Sequence, residues 1–410
     1  MLKSIALRAS IVFCSIILTL LAIEWGLRTF GDPDGDRQLL GYRLRPARID
    51  MYHARVYLER YLENIDKASL VYDEILGWTY PPYKVVQDGK FTTNSIGIRA
   101  QKEYPIAPPV DTLRIVILGD SFVADVDVTD EESWGTQLEI MLNQRGIRAE
   151  VLNFGVSGYG MGQAYLRWQH SARDFSPDIV IFGVQPENLN RNVNIFRTIY
   201  LPGETVPLAK PRFVLTKQGL DVVNLPVVPP EELIQVYRNL GNHPLATYEF
   251  YYNSRHLSSE WWTESRLIVF VQDLLHRNTP STDDYSRTSE RVQLGISLID
   301  ALAAEVEESG GIFTTIHFPM RHLLGMYHEG RESPFGEFLQ YVEDTYDYIP
   351  MEKYLVPKYL EREYWGETFH YGPQISQLVA EVLADEITDC VNNRTCTFSR
   401  FEEESEFQLQ

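Results

Sequence analysis

The sequence predicts an α/β protein built on a parallel sheet, and two observations support this. From Leu113 onward, apolar segments of strand length alternate with segments of amphipathic helical spacing. The first strand, 113–119, is apolar apart from Arg114, as a strand buried on both faces requires. Strands that alternate with helices form a parallel sheet covered on both faces, so ligands are expected beyond the carboxyl ends of the strands.

Local signals predict the elements that follow the first strand. Thr129 and Glu132 have the spacing of a capping box, which predicts a helix beginning there and ending at Gly146. The next elements are expected to be a strand over 149–154, a glycine-rich turn over 155–160, a helix over 162–172 and a strand over 179–183.

The alternation is interrupted and then resumes. Between about 197 and 287 the chain is Pro-rich and aromatic, which predicts an insertion that caps the site. After it we expect a helix over 292–306, a strand over 312–318 and a last helix beginning at Pro373, a residue favoured at the first helical position. The predicted sheet domain therefore spans 111–390, and the acidic segment 391–410 is predicted to be a solvated tail.

The N-terminal segment predicts a membrane anchor. Lys3 and Arg8 precede a charge-free stretch over 9–23, and no small-residue cleavage site follows it. Residues 1–31 are interpreted as a signal anchor with its N-terminus in the cytoplasm, so that the rest of the chain is extracytoplasmic. Residues 32–110, which contain a helix predicted near 54–68, are expected to pack on the later core.

Composition limits the partners and the compartment. Thirty-seven Lys and Arg residues against 57 Asp and Glu residues give a formal net charge of −20, and no basic cluster offsets it, so nucleic acid is excluded as a partner. Three cysteines are too few for a disulfide scaffold. Only Cys390 and Cys396 are close enough in sequence to suggest a pair, which an oxidising compartment permits.

Four blocks near the predicted strand ends carry the candidate chemistry. Gly119-Asp120-Ser121 places a hydroxyl at the end of the first strand, although such a tripeptide is also an ordinary turn. Glu367 stands three residues before His370, an arrangement that can orient one imidazole nitrogen while the other faces a nucleophile. The remaining blocks, 153–158 and 183–188, can supply hydrogen-bond donors to an oxyanion.

Taken together and in this order, the blocks resemble the SGNH/GDSL hydrolase superfamily over about 113–387. The resemblance implies a flavodoxin-like, three-layer α/β fold with Ser121 as nucleophile, His370 as general base and Glu367 in place of the usual Asp. It also implies an oxyanion hole formed by the backbone N–H groups of Ser121 and Gly158 and the side chain of Asn188. The third block departs from the usual Gly-x-Asn-Asp, so Asn190 and Asn192 stay open as alternatives to Asn188.

Other polar residues have both a structural and a functional interpretation. Asp120, Arg191 and Asn192 are candidate substrate-binding residues, although turn formation by Asp120 and a solvated loop at 191–197 are equally ordinary. The Trp261-Trp262 pair suits carbohydrate stacking or packing of the cap. His317, His322 and His328 have no carboxylate or cysteine at a ligand-like spacing, so no metal site is predicted. No cofactor is implied.

These observations predict a membrane-anchored serine esterase or O-acyltransferase that acts on ester-linked acyl groups, acetyl in particular, of an extracytoplasmic carbohydrate. The carbohydrate substrate rests on the resemblance, including a segment like Asn94–Arg99 before the first strand. A lipid esterase or thioesterase is the alternative enzyme. An inert glycan-binding or assembly protein of the same fold is the alternative outside catalysis. Protein partners are not predicted.

Overall fold

A computed structural model describes most of the chain: residues 2–31, 38–39, 42–44, 51–201, 206–252, 265–276, 284–358, 360–361, 364–366 and 368–393. The chain divides into two compact units. Unit 1 comprises Met1–Arg55 and Tyr251–Asp284, and unit 2 comprises Val56–Phe250 and Tyr285–Gln410. Glu367, the Trp261-Trp262 pair, Cys396 and the acidic tail from 394 onward lie outside the described residues.

The strands and helices of both units are numbered here in chain order. The strands are β1 (Gln38–Leu39), β2 (Tyr42–Arg43), β3 (Val71–Asp73), β4 (Gly77–Thr79), β5 (Val85–Val86), β6 (Phe91–Thr92), β7 (Leu113–Leu118), β8 (Ala149–Asn153), β9 (Ile179–Val184), β10 (Arg212–Thr216), β11 (Gly219–Val223), β12 (Ile312–His317) and β13 (Asp347–Pro350). The helices are α1 (Leu2–Phe30), α2 (Met51–Glu63), α3 (Ser121–Ala124), α4 (Trp134–Gln144), α5 (Met161–His170), α6 (Leu189–Asn192), α7 (Arg197–Tyr200), α8 (Pro230–Arg238), α9 (Arg266–His276), α10 (Glu290–Glu308), α11 (Arg321–His328), α12 (Gly336–Thr345), α13 (Met351–Leu355) and α14 (Pro373–Asn393).

The expected parallel sheet is present in unit 2. Its strand order is β13-β12-β9-β7-β8, and every neighbouring pair is parallel. Two of the three inner strands, β7 and β9, are buried at every residue, as their largely apolar sequences predict. All five strands therefore end at one edge, where the polar blocks of the sequence meet.

Helices cover both faces of the sheet, and side chains alternate between the faces along each strand. On one face, Ile115 and Ile117 of β7 belong to a buried apolar cluster with α4 and α14 residues such as Leu138 and Leu383. Away from that cluster, α5 and α10 are joined by Glu305, which accepts hydrogen bonds from Tyr165, Trp168 and Gln169.

One local prediction is wrong, and one strand was not predicted. Helix α4 begins at Trp134, and its N-cap is Ser133, whose Oγ accepts from the Thr136 N–H. Thr129 and Glu132 do bond to each other, but they close the turn before the helix. The edge strand β13 was not predicted, because its four residues include Asp347 and Pro350 and are at best half-buried, so they lack the apolar pattern of the inner strands.

The segment before β7 packs on the sheet within unit 2. Arg99 is buried, and its guanidinium donates to four carbonyls of the loop after α3, those of Ala124, Asp125, Val128 and Thr129. Trp78 and Tyr80 hold the turn after β8 through Ser157: Trp78 Nε1 donates to its carbonyl, and the Tyr80 hydroxyl lies 2.7 Å from its Oγ. Within unit 2, this segment therefore contacts both the loop after α3 and the turn after β8.

The predicted insertion is divided between the units. Its first part, up to Phe250, lies in unit 2 and contains the antiparallel hairpin β10–β11 and helix α8. Its second part, Tyr251–Asp284, belongs to unit 1 and contains α9. Sequence patterns predicted neither the hairpin nor these helices.

Within unit 1, hydrogen bonds join the C-terminal end of α1 to the N-terminal end of α9. Glu24 of α1 accepts from the backbone N–H groups of Arg266 and Leu267, and Arg266 donates to the Leu27 and Arg28 carbonyls. Each side chain thus satisfies polar groups that the other helix leaves unpaired. Residues Leu7–Phe30 of α1 are long and apolar enough to span a membrane, and a signal sequence would meet the same criterion.

Candidate active site

Ser121 lies at the end of β7, where the chain turns sharply into α3. Gly119 has φ +157°, and a Cβ atom there would lie 2.4 Å from Val123 Cγ2. Gly155, on the adjacent turn, is equally close, since its Cβ would lie 2.5 Å from the Ala124 nitrogen. Only glycine fits these positions, so two glycines allow the hydroxyl-bearing turn to lie against its neighbour.

His370 meets Ser121 although 249 positions separate them in sequence: His370 Nε2 lies 2.7 Å from Ser121 Oγ. Both residues are buried, with exposed fractions of 7% and 5%. The His370 ring also packs on the Phe122 ring, with 4.9 Å between centroids. The structure therefore brings together the two residues that the sequence proposed as base and nucleophile.

The other imidazole nitrogen contacts a hydroxyl. His370 Nδ1 lies 2.7 Å from Thr368 Oγ1, and Thr368 Oγ1 lies 2.7 Å from Asp127 Oδ2. The carboxylate can only accept, so Thr368 donates to Asp127 and accepts from Nδ1–H. This assignment leaves Nε2 unprotonated and able to accept the Ser121 proton.

The geometry around Asp127 is tightly constrained. The same Asp127 oxygen accepts from the Thr368 N–H at 2.9 Å. A Cβ at Gly366 would lie 2.3 Å from that oxygen, so the close approach requires glycine there. The four carbonyl bonds of Arg99 hold the loop that carries Asp127.

Sequence reasoning missed Thr368 and Asp127. Thr368 stands two residues from His370, which is a weak signal, whereas Asp127 is 241 positions from Thr368 and carries no spacing signal. The predicted carboxylate Glu367 lies outside the described residues. Its assignment stays a prediction beside the observed Thr368–Asp127 link.

Asp120, the residue before the nucleophile, is hydrogen-bonded to Asn188. Asp120 is 1% exposed, and its Oδ1 caps α3 by accepting from the Phe122 N–H. Its Oδ2 accepts from Asn188 Nδ2 at 3.0 Å and from Arg191 at 3.3 Å. Asp120 is thus turned into the protein and holds both residues, which leaves it no surface for a substrate.

The neighbouring asparagines face other parts of the fold. Asn190 bonds to the Tyr285 hydroxyl and to Arg291. Asn192 is buried against Met161 and the Arg291 carbonyl. Of the three candidates, Asn188 is the one whose described hydrogen bonds include Asp120, the residue that precedes the nucleophile.

A cavity of about 690 Å³ opens over the Ser121–His370 pair. This volume is within the range of small-molecule sites. Of the residues proposed from sequence, Ser121, Gly158, Arg191 and His370 line it. Its other lining residues are Tyr57, Arg60, Tyr61, Asn64, Lys67, Ala68, Ser69, Leu70, Gln87, Asp88, Val126, Asp127, Ser157, Arg197, Val206, Pro207, Leu208, Thr368 and Phe369.

Two buried carboxyls near the site have raised pKa values. Burial raises the pKa of Glu187 to about 7, opposed by its own backbone N–H and by Arg191. Its nearest ion-pair partner is His322, whose Nε2 lies 3.2 Å away and whose own pKa is lowered by burial. Burial likewise raises the pKa of Asp125 to about 6, although the Arg99 charge and hydrogen bonds from Trp134 and Ser376 oppose this.

A second histidine occupies the same edge of the sheet. His317 ends β12 and is fully buried, and its Nδ1 lies 2.8 Å from Glu352 Oε2. Within the described residues, no three His, Cys, Asp or Glu side chains are grouped closely enough to hold a metal ion.

Several solved structures are similar to this chain. An acetyl xylan esterase matches with 11% identity and a TM-score of 0.36, over 67% of this chain and 100% of its own. An esterase from Pseudoalteromonas sp. matches with 10% identity and a TM-score of 0.34, over 68% of this chain and 98% of its own. A lipase/acylhydrolase from Enterococcus faecalis matches with 10% identity and a TM-score of 0.35, over 67% and 95%.

Two further matches are described as G-D-S-L or GDSL-like lipolytic proteins, the superfamily that the sequence blocks resemble. No protein-family model and no curated protein matches the sequence. Likeness at these identities says nothing about what this chain does.

Proposed function

We propose that the protein is a serine ester hydrolase that acts through an acyl-Ser121 intermediate. One observation carries the proposal: Ser121 Oγ and His370 Nε2 lie 2.7 Å apart and line a cavity large enough for a substrate. Nucleophilic catalysis requires a nucleophile within hydrogen-bond reach of a base. It also requires that the other nitrogen of the base be oriented by a hydrogen bond, as Thr368 does here.

The proposed reaction has two halves. His370 Nε2 takes the Ser121 proton while Oγ attacks the ester carbonyl, and the tetrahedral intermediate collapses as His370 protonates the departing alcohol oxygen. Water then gives a proton to His370 and attacks the acyl carbonyl. The second tetrahedral intermediate collapses as His370 gives that proton to Ser121 Oγ, which releases the carboxylic acid and restores the serine. Thr368 holds Nδ1 throughout, and Asp127 favours the imidazolium through Thr368.

We assign three hydrogen-bond donors to the oxyanion: the N–H groups of Ser121 and Gly158 and the side-chain amide of Asn188. Gly158 supports this because it lines the cavity and has φ +79°, a conformation that suits glycine. Asn188 gives one hydrogen bond to Asp120, and its amide nitrogen carries a second hydrogen. Glu367 remains a proposed partner of His370.

We place the enzyme at a membrane with its site on the extracytoplasmic side. The apolar helix Leu7–Phe30 and the basic residues Lys3 and Arg8 support an anchor. Cys390 is disulfide-bonded, which supports an oxidising compartment, whereas Cys14 within the anchor is a free thiol.

The proposed substrate is an O-acyl group, acetyl in particular, on a carbohydrate. If a sugar hydroxyl instead of water attacked the acyl-enzyme, the same site would act as an acyltransferase.

The test is covalent labelling of the detergent-solubilised, full-length protein with a fluorophosphonate, read by peptide mass spectrometry. We expect an adduct on Ser121 that is lost in His370→Ala and kept in Ser69→Ala, a control serine that lines the same cavity. Hydrolysis of p-nitrophenyl acetate should follow the same pattern. Folded protein without adduct or turnover would overturn the proposal and favour an inert binding protein.

A further inference from the structure

The turn that follows β8 carries a backbone N–H that donates to no described residue. This N–H belongs to Gly158, which is buried, lines the cavity and has φ +79°. The carbonyl of the same residue accepts from Arg197 Nη1 at 3.1 Å. Buried backbone N–H groups are nearly always bonded, so one at the wall of a cavity is available to an oxygen of a bound molecule.

Trp78 fixes the direction of this N–H from the other side of the same peptide group. Its indole Nε1–H donates to the Ser157 carbonyl at 2.9 Å. The Ser157–Gly158 peptide is trans, so the Ser157 carbonyl and the Gly158 N–H lie in one plane and point in opposite directions. A donor that holds the carbonyl therefore sets where the N–H points.

The donor is itself held firmly. Trp78 is fully buried, its carbonyl accepts from the Tyr159 hydroxyl at 2.8 Å, and the two rings meet edge to face. The backbone N–H of Ser157 donates to the Tyr80 hydroxyl at 3.1 Å, and Gln87 Nε2 donates to Ser157 Oγ at 3.0 Å. The segment before β7 thus bonds the N–H, the carbonyl and the hydroxyl of Ser157.

Resting on the proposed function, we propose that Trp78 is a positioning residue for the oxyanion hole. Its indole N–H holds the Ser157–Gly158 peptide so that the Gly158 N–H meets the developing oxyanion. The same hydrogen bond polarises the peptide, which makes the Gly158 N–H a stronger donor. Trp78 is not among the described lining residues, so it acts through the peptide that it bonds and not by touching substrate.

The experiment removes the indole N–H and measures p-nitrophenyl acetate hydrolysis by the full-length, detergent-solubilised protein. Fluorophosphonate labelling counts the active sites, so that kcat refers to folded enzyme. Trp78→Phe should lower kcat about tenfold and change KM by less than about twofold, because the oxyanion forms only in the transition state and its donor is misdirected, not deleted.

The matched control is Trp168→Phe. Trp168 is also buried, and its indole N–H donates to Glu305 at 3.0 Å, between α5 and α10. The same chemical change there should leave kcat within about twofold of the unmodified protein, since the lost bond has no partner in the site.

A second measurement responds to the oxyanion hole and not to folding. Ser121 Oγ adds to the carbonyl carbon of an aryl trifluoromethyl ketone, the serine proton passes to His370, and the carbonyl oxygen becomes an oxyanion. Affinity for this inhibitor should fall about tenfold in Trp78→Phe and stay unchanged in Trp168→Phe. If Trp78→Phe does not fold, Trp78→benzothienylalanine keeps the ring shape with sulfur in place of the N–H, and the same two losses are expected.

The failures of this inference and of the proposed function are distinguishable. Unchanged kcat and inhibitor affinity in a folded Trp78 variant would overturn the role of Trp78 and leave the esterase intact. A loss confined to KM would overturn it as well, because it would indicate substrate binding instead of oxyanion stabilisation. No turnover and no Ser121 adduct in the unmodified protein would overturn the proposed function and this inference together.

Discussion

Two histidines lie near the carboxyl edge of the sheet, and they have different partners. His317, at the end of β12, pairs directly with a carboxylate, Glu352, at 2.8 Å. His370 lies 2.7 Å from a serine hydroxyl and reaches the carboxylate of Asp127 through Thr368. Among the contacts of the described residues, the carboxylate therefore bonds directly to His317, whereas Asp127 is linked to His370 through the Thr368 hydroxyl.

The two histidines also differ in burial and in access to the cavity. His370 lines the 690 Å³ cavity, whereas His317 is fully buried and its Nε2 has no hydrogen-bond partner among the described residues. The pKa of Glu352 is affected most by burial, which raises it, but the hydrogen bond and charge of His317 bring it below its usual value. His317 thus stabilises a carboxylate in the fold, while His370 is placed to move a proton.

The largest loss of activity is expected on replacement of His370. His370→Ala should lower kcat for p-nitrophenyl acetate by about four orders of magnitude, because the base that accepts the serine proton is lost. The measurement is steady-state hydrolysis with circular dichroism to verify folding. His317→Asn is the matched control, and it should retain activity within about threefold. Comparable losses in both variants would contradict the separation of their roles.

The next effect tests the Thr368–Asp127 link. Asp127→Asn should lower kcat about 10–100-fold, because a negative charge that favours the imidazolium is removed. The acidic limb of the kcat/KM–pH profile should move to lower pH for the same reason. Thr368→Ser should retain most activity, since its hydroxyl is preserved, whereas Thr368→Val should resemble Asp127→Asn.

A profile that does not move in Asp127→Asn would show that Asp127 only supports the loop. In that case Glu367 becomes the candidate for the acidic partner, and Glu367→Gln should then produce the shift.

The third prediction concerns stability at His317. His317→Asn should lower the free energy of unfolding by about 1–3 kcal/mol near pH 7, since the buried Glu352 carboxylate loses its partner. The pKa of Glu352 is lowered by folding, so this stabilisation is present above the unfolded pKa near 4.5 and is lost as the pH falls below it. Urea unfolding at pH 7 and pH 4 measures the difference, and an equal loss at both values would contradict this account.

The smallest expected effect concerns Glu187. Its pKa of about 7 exceeds the ordinary 4.5, so the native state holds the proton more tightly and stability falls as pH rises through that interval. Glu187→Gln should flatten this dependence, so that the decline in Tm from pH 5 to pH 7.5 is smaller by about 2–5 °C. Calorimetric scans at several pH values provide the measurement. Parallel curves for the two proteins would refute the assignment.

The sequence predicted most of the sheet because buried strands and amphipathic helices have local signatures. The inner strands β7 and β9 are apolar apart from Arg114, and α14 begins at Pro373 as expected. The short edge strand β13 and the first residue of α4 were missed. Partial burial and competing turn hydrogen bonds, respectively, decide these two features, and neither leaves a periodic pattern.

For the site, sequence reasoning identified two residues, Ser121 after β7 and His370 before α14. Their 2.7 Å contact and the Thr368–Asp127 link follow only from the tertiary structure. The physical reason is that strand identity and helix starts depend on neighbours a few residues away, whereas a proton path depends on atoms that folding brings together from distant segments.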